Sequence, residues 1–166
     1  INYDDNYGKK LISKINCDVS TFSKTGPTKL FFSKIYDYKD KIDGIIKSNT
    51  SVYKIESNLI GEYNLENILA TVTALDSLKI NKNAIVNGIK NCKKVPGRLE
   101  SFLIKTGAKV IIDYAHTPDA YDNILSTLKN ILDERNNLYL VFGAGGDRDS
   151  GKRSKMAAVA QKYCNK

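Results

Sequence analysis

The side chains best suited to chemistry are Asp113, Tyr114 and His116, which directly follow the β-branched run Val110-Ile111-Ile112. Such a run predicts a buried strand, and the polar residues fall at its end. Thr117 then predicts a helix N-cap, Pro118 the first helical position and Asp119 an acid in the first turn. A buried strand that delivers an acid and an imidazole to a helix start is how α/β folds build ligand sites. The same residues also fit an ordinary strand-to-helix turn whose polar groups only cap. Taken alone, this segment leaves both readings open.

A second loop, Gly143 to Arg153 (GAGGDRDSGKR), lies between the apolar run Leu138–Phe142 and a predicted helix over 154–163. Backbone N–H groups in a glycine-rich loop, together with a helix N-terminus, make an anion site. Gly146 to Lys152 even has the spacing G-x-x-x-x-G-K, but Arg153 stands where a P-loop needs a Ser or Thr hydroxyl for Mg²⁺. Asp147 and Asp149 would crowd a triphosphate, and Arg148 occupies the third-glycine position of a dinucleotide fingerprint. What remains is a guanidinium between two carboxylates, suited to a zwitterion: Arg148 for a carboxylate, Asp147 and Asp149 for an ammonium. A self-satisfied surface salt-bridge loop is the alternative. Asn64 and Asn67 share a face near the start of a predicted helix. Asparagine there usually caps, but two neighbouring amides can also present their edges to a purine.

The elements that must position these groups follow from periodicity. Tyr7 to Ile15 predicts a helix with Leu11, Ile12 and Ile15 on one face, and 19–22 a short strand. After the turn at Gly26-Pro27-Thr28, strands are expected over 30–38, 42–47 and 51–56, as an antiparallel meander at the edge of a larger sheet. A helix from Gly61 to about Lys79 carries Leu65, Ile68, Leu69, Val72 and Leu75 inward. Another, capped by Asn81, runs over 82–92 with Ile85, Val86 and Ile89. Pro96-Gly97 breaks the helical pattern. Beyond it come strands at 99–104 and 110–113, a helix over 118–133 with Ala120, Ile124, Leu128 and Ile131 inward, a buried strand at 138–142, the loop and the last helix. That alternation predicts an α/β fold with a parallel, doubly wound sheet, and a domain boundary that divides the chain into 1–98 and 99–166.

The net charge of +8 favours anionic partners such as nucleotides, but the lysines are scattered among Asn and Ile, with no dense basic block interleaved with aromatics. That reads as compositional bias rather than a nucleic-acid surface. The three cysteines (Cys17, Cys92, Cys164) are widely spaced without a CxxC pair, which argues against a disulfide framework or a zinc site and for a reducing, cytoplasmic setting. No apolar run approaches the roughly 20 residues a membrane span needs. The opening Ile1-Asn2-Tyr3-Asp4-Asp5 has neither the basic nor the apolar region of a signal peptide, and no initiator Met, so a piece of a longer chain is expected.

Four stretches together resemble the Mur ligases: 61–67 (GEYNLEN), 95–100 (VPGRLE), 113–120 (DYAHTPDA) and 142–153 (FGAGGDRDSGKR), with 2–5 (NYDD) fitting the same family's central domain. The pattern is most similar to the branch that adds the third residue of the peptidoglycan stem peptide. The pairing of DYAHTP with GGDRD is the specific part; the Asn-x-x-Asn helix alone is weak. The resemblance implies the second half of a P-loop-type central ATPase domain followed by part of a Rossmann-like C-terminal domain. The true P-loop, the uridine-nucleotide domain and most Mg²⁺ ligands are then expected before Ile1, the amino-acid-selecting motif after Lys166, and no activity from this chain alone. The implied reaction is ATP-driven amide synthesis through an acyl phosphate, on a UDP-N-acetylmuramoyl-dipeptide and a free amino acid, meso-diaminopimelate or L-lysine, by a cytoplasmic monomer that takes no nucleic acid and inserts in no membrane. By the same resemblance Asn64 and Asn67 lie at the adenine, Arg98 on the nucleotide, Asp113 at the ribose hydroxyls and His116 at the phosphates. Arg148, with Asp147 and Asp149, takes the amino acid, while Lys152 and Arg153 lend positive charge. Arg98, His116 and Lys152 are the implied catalytic set. Cyanophycin synthetase and folylpolyglutamate synthase relatives share a Gly-Arg and a D-x-A-H-type turn but not the GGDRD loop. A non-catalytic basic nucleotide- or nucleic-acid-binding module is the reading from another class.

Overall fold

Strict alternation along Val52–Ser57 turns Tyr53, Ile55 and Ser57 inward, and the two strands before it share that inner face. The computed structural model describes residues 1–143 and 151–165, which fall into two units, Ile1–Val95 and Pro96–Lys166. The first unit runs α1 (Asn6–Ile12), β1 (Phe22–Ser23), β2 (Leu30–Asp37), β3 (Ile42–Ser48), β4 (Val52–Ser57), α2 (Glu62–Ser77) and α3 (Lys82–Asn91). The expected meander of β2, β3 and β4 is present, with Ile46 opposite both Phe32 and Tyr53, and β1 pairs parallel to β2. The sheet buries Leu30, Phe32, Ile42, Ile46, Tyr53 and Ile55 against Leu65, Ile68, Leu69 and Val72 of α2 and Ile85 and Ile89 of α3. Each such side chain contributes about 1.5–3 kcal/mol when fully buried. Gly44 belongs to this face because a Cβ there would lie 2.7 Å from the Lys34 carbonyl oxygen and 3.1 Å from the Phe32 ring. The Tyr53 hydroxyl donates to Asp76 near the end of α2, which ties helix to sheet.

α1 is shorter than its apolar spacing predicts. Asp5 caps it, accepting from the Tyr7 N–H at 2.8 Å, but it stops at Ile12, where the Ser13 hydroxyl donates back to the Lys10 carbonyl at 2.9 Å. A serine side chain that competes for a helix carbonyl favours a terminus over another turn. Leu11 is left exposed.

The second unit contains β5 (Glu100–Leu103), β6 (Lys109–Ile112), α4 (Pro118–Ile131) and α5 (Gly151–Tyr163). It departs from expectation in three ways. Among the described residues its sheet is the antiparallel pair β5–β6, not a parallel doubly wound one. Among the described residues Leu138–Phe142 pairs with no strand, and Val141 is almost fully exposed. Asn165 takes up the backbone of Leu138 instead: its Oδ1 accepts from the Leu138 N–H at 2.9 Å and its N–H donates to the Leu138 carbonyl at 2.8 Å. A cavity of about 480 Å³, lined by β6, by Tyr121, Ile124, Leu125 and Leu128 of α4 and by Leu138 to Val141, lies where a strand ladder would close the layer. For the same reason Val110 and Ile112, expected to be buried, are exposed. An apolar run identifies a segment that favours burial, not the layer that covers it.

Ile124 and Leu128 of α4 are buried as expected, joined by Tyr121 and Leu125, whereas Ala120 and Ile131 are only partly buried. The helix begins as predicted, with Thr117 accepting from the Ala120 N–H at 3.2 Å and Pro118 at its first position. α5 starts at Gly151, so Lys152 and Arg153 lie in its first turn rather than in the loop. It packs against α4 through Asp122, which accepts from Tyr163 at 2.9 Å and pairs with Lys162 at 3.1 Å.

Candidate functional site

In the second unit the turn after β6 is built around one carboxylate. Asp113 Oδ2 accepts from the Leu99 N–H at 2.9 Å, and Oδ1 from the Ala115 N–H at 2.8 Å. The Tyr114 N–H donates to the Gly97 carbonyl at 2.9 Å, and Glu100 accepts from the Gly97 N–H at 3.0 Å. These bonds fasten the 97–99 loop to the 113–116 turn, which brings Arg98 and His116 to one place. The loop needs the fastening. Gly97 has φ +64°, and Leu99, a bulky residue, has φ +44°, a conformation that costs an L-residue about 1–2 kcal/mol. Asp113 therefore caps and braces, yet each oxygen keeps an unused lone pair for a ligand hydroxyl.

Tyr114, to which the sequence pattern gave no separate role, supports both charged neighbours. The Arg98 guanidinium lies 5.8 Å from its ring centre, and the His116 ring meets it edge-on at 5.2 Å. His116 Nδ1 is 2.9 Å from the Tyr114 carbonyl oxygen. A carbonyl can only accept, so Nδ1 carries the proton and Nε2 is left to face a ligand. Arg98, Tyr114 and His116 are all exposed. The adjacency of an aromatic to both an arginine loop and a histidine was the available signal, but only the fold makes the three converge.

The first unit holds the two asparagines at the start of α2. Neither caps the helix: the N-cap is Gly61, without a side-chain bond. Asn64 is buried, 4% exposed, and its Nδ2 donates to the Ile60 carbonyl at 2.7 Å. Its Oδ1 accepts from Asn67 Nδ2 at 3.0 Å, and Asn67 is exposed. The expected pair of free amide edges is thus one edge with a buried support. The same turn is held from below by Lys24, whose ammonium reaches Glu62 at 3.0 Å and Glu66 at 2.8 Å, while Asn2 Nδ2 donates to Glu66 at 3.2 Å. Burial would lower the Lys24 pKa, but hydrogen bonds and charge from Glu66 and Glu62 outweigh it and hold it above the ordinary lysine range. Asp4 sits nearby. Burial would raise its carboxyl, but donation from Ser23, the Lys24 backbone and Thr25 holds it below the ordinary value.

Asp147, Arg148 and Asp149 lie outside the described residues. Among the described residues no three His, Cys, Asp or Glu side chains gather into a metal centre, so these residues do not by themselves fit Mg²⁺. Among the same residues no helix is long and apolar enough to cross a membrane.

A family model for the Mur ligase middle domain matches residues 1–75, and one for the Mur ligase glutamate ligase domain matches residues 97–166. The chain belongs to the Mur ligase family. It is 36% identical, over 98% of its length, to the UDP-N-acetylmuramoyl-L-alanyl-D-glutamate–2,6-diaminopimelate ligase of Geobacter sulfurreducens, and spans 32% of that protein. A solved structure described by the same ligase name matches 99% of this chain and 34% of its own, at 29% identity and TM-score 0.66. Likeness to a folylpolyglutamate synthase structure, "FPGS-AMPPCP-folate complex", reaches TM-score 0.70 over 94% of this chain and 37% of that one, but at 18% identity it is a likeness of fold alone. The chain spans about a third of the length of the curated relatives it matches. Within the Mur ligase framework, Asn64 and Asn67 fall in the matched middle domain, and the Asp113 turn with Arg98 and His116 falls in the matched glutamate ligase domain.

Proposed function

We propose that this chain is the part of an ATP-dependent amide ligase that holds the nucleotide and the incoming amino acid, in an enzyme extending UDP-N-acetylmuramoyl-L-Ala-D-Glu by its third amino acid. The observation that carries the reading is the Asp113 turn, which gathers a guanidinium, an imidazole with Nε2 outward and a carboxylate with lone pairs to spare. The similarity to ligases named for 2,6-diaminopimelate favours that amino acid over L-lysine. A cytoplasmic, monomeric enzyme is part of the same proposal.

In this mechanism the D-glutamate carboxylate oxygen attacks the γ-phosphorus and ADP leaves. The amine nitrogen of the amino acid then attacks the acyl carbon, and inorganic phosphate leaves as the amide forms. Side chains supply position and charge rather than covalent chemistry. Arg98 and His116 bind phosphate oxygens. Asp113 accepts from the ribose hydroxyls, and the exposed amide of Asn67, held from beneath by buried Asn64, serves the adenine. Arg148 binds the carboxylate of the amino acid, Asp147 and Asp149 its ammonium, and Lys152 and Arg153 add positive potential from the first turn of α5.

The test is a ligase assay on the full-length protein with ATP, Mg²⁺ and UDP-N-acetylmuramoyl-L-Ala-D-Glu, offering diaminopimelate and lysine separately. Phosphate release with diaminopimelate, and a KM for it raised about tenfold or more in Arg148→Ala, are expected, because a lost charge-assisted pair is worth about 1.5–3 kcal/mol. Turnover indifferent to Arg148 removes the loop's assignment. No turnover with either amino acid removes the reaction.

A further inference from the structure

We infer that Asn64 is a specificity-determining residue that never meets the base: it fixes the hydrogen-bonding polarity of Asn67, and thereby makes the site select adenine over guanine. The inference rests on the nucleotide reading above and divides the labour of two residues that look equivalent in sequence.

The Ile60 carbonyl can only accept. The Asn64 atom 2.7 Å from it must therefore be the NH₂ nitrogen, whichever way an isolated amide would turn. That choice places Asn64 Oδ1, also acceptor-only, 3.0 Å from Asn67 and forces the Asn67 nitrogen toward it. Asn64 is buried, so water offers it no alternative partner. Asn67 spends one amide hydrogen inward and keeps its oxygen and its other hydrogen, which have no partner among the described residues. It thus presents one acceptor and one donor in an order set from beneath.

Adenine shows a ring-nitrogen acceptor beside its N6 amino donor, the complement of an asparagine amide, whereas guanine's N7 and O6 are both acceptors. On the Watson–Crick edge guanine shows an N1–H donor beside O6, the reverse of adenine's order. A freely rotating amide could exchange its oxygen and nitrogen and serve either base. Asn64 prevents that exchange, so a guanine would meet oxygen against oxygen. Lys24, paired with Glu62 and Glu66, restrains the same helical turn and keeps the relay in register.

The experiment is calorimetric titration of ATP and GTP into the full-length protein, as wild type, Asn64→Ala and Asn67→Ala, with melting temperatures recorded. Wild type is expected to prefer ATP by about tenfold to a hundredfold, the discrimination of one good amide–base pair. Asn64→Ala should bring the ratio to within about threefold of unity although the residue touches no nucleotide; Asn67→Ala should do the same. A residue with only a structural role would weaken ATP and GTP by the same factor and leave the ratio unchanged, and that result overturns the inference. So does an Asn67→Ala protein that keeps its preference. Where Asn64→Ala does not fold, Asn64→Ser replaces it, since a serine hydroxyl can still donate toward the Ile60 carbonyl but is too short to hold Asn67; the same ratio is expected to collapse. Wild-type protein that prefers ATP but forms no amide would remove the ligase reading and leave this inference standing. Protein that forms the amide equally well on GTP would do the reverse.

Discussion

Replacing Asp113 by Asn tests the central brace with almost no change of shape. The carboxylate accepts from two backbone N–H groups, at 2.9 and 2.8 Å. An asparagine keeps one acceptor and turns an NH₂ toward the other N–H, so one bond is lost and the survivor loses its charge assistance. Hydrogen bonds to charged groups contribute about 1.5–3 kcal/mol and neutral ones about 0.5–1.5. Because the site is only partly buried, water repairs some of the loss, and about 2 kcal/mol remains. The strain at Leu99, φ +44°, means that the 97–99 loop lets go before the rest of the unit. Hydrogen exchange resolves this where a global melt of a two-unit chain does not. The amides of Leu99 and Ala115 should exchange about 30-fold faster in Asp113→Asn, at tenfold per 1.4 kcal/mol, while those of β3 in the other unit keep their rate. Protection of Leu99 and Ala115 unchanged within about twofold, or an equal acceleration in β3, would refute the brace.

Two further outcomes are expected. Tyr114→Ala should lower ligase turnover of the full-length protein while leaving its melting temperature nearly unchanged, because the ring is exposed yet supports Arg98 and His116; Tyr114→Phe, which keeps the ring, should restore most of the rate. Asp4 has a folded-state pKa below its ordinary 3.8, so its contribution to stability is full above that value and is lost as pH falls through the folded pKa. Wild type should therefore exceed Asp4→Asn in urea stability at neutral pH, and the two should converge as pH falls below 3.8. A difference that persists undiminished in acid would show that the side chain acts by shape and not by charge.

What the sequence made legible was periodicity and punctuation. Alternation in Val52–Ser57, the Asn81 cap before α3 and the Thr117-Pro118 start of α4 each depend on neighbours a few positions away, and each is found where local chemistry predicts it. What it hid depends on partners distant in the chain. Leu138–Phe142 has the composition of a strand, but pairing is a property of two segments, and no described strand lies against it. Nothing near Lys24 in the chain marks it; its partners Glu62 and Glu66 come from α2, some forty positions on. Asp113 was recognisable as a polar group at a strand end, whereas its hold on Leu99 was not.

The asparagines make the physical reason plain. Spacing places Asn64 and Asn67 on one face of a helix, and from spacing alone they are interchangeable. Burial separates them, because a polar side chain at 4% exposure must spend its hydrogen bonds on the protein, and here they go to the Ile60 carbonyl and to Asn67. Once those bonds are assigned, the orientation of the exposed amide is no longer a free choice, and the order of donor and acceptor offered to a ligand is set by a backbone carbonyl one turn away. A binding preference of this kind is written in hydrogen-bond polarity, which residue types and intervals do not record and a single buried acceptor decides.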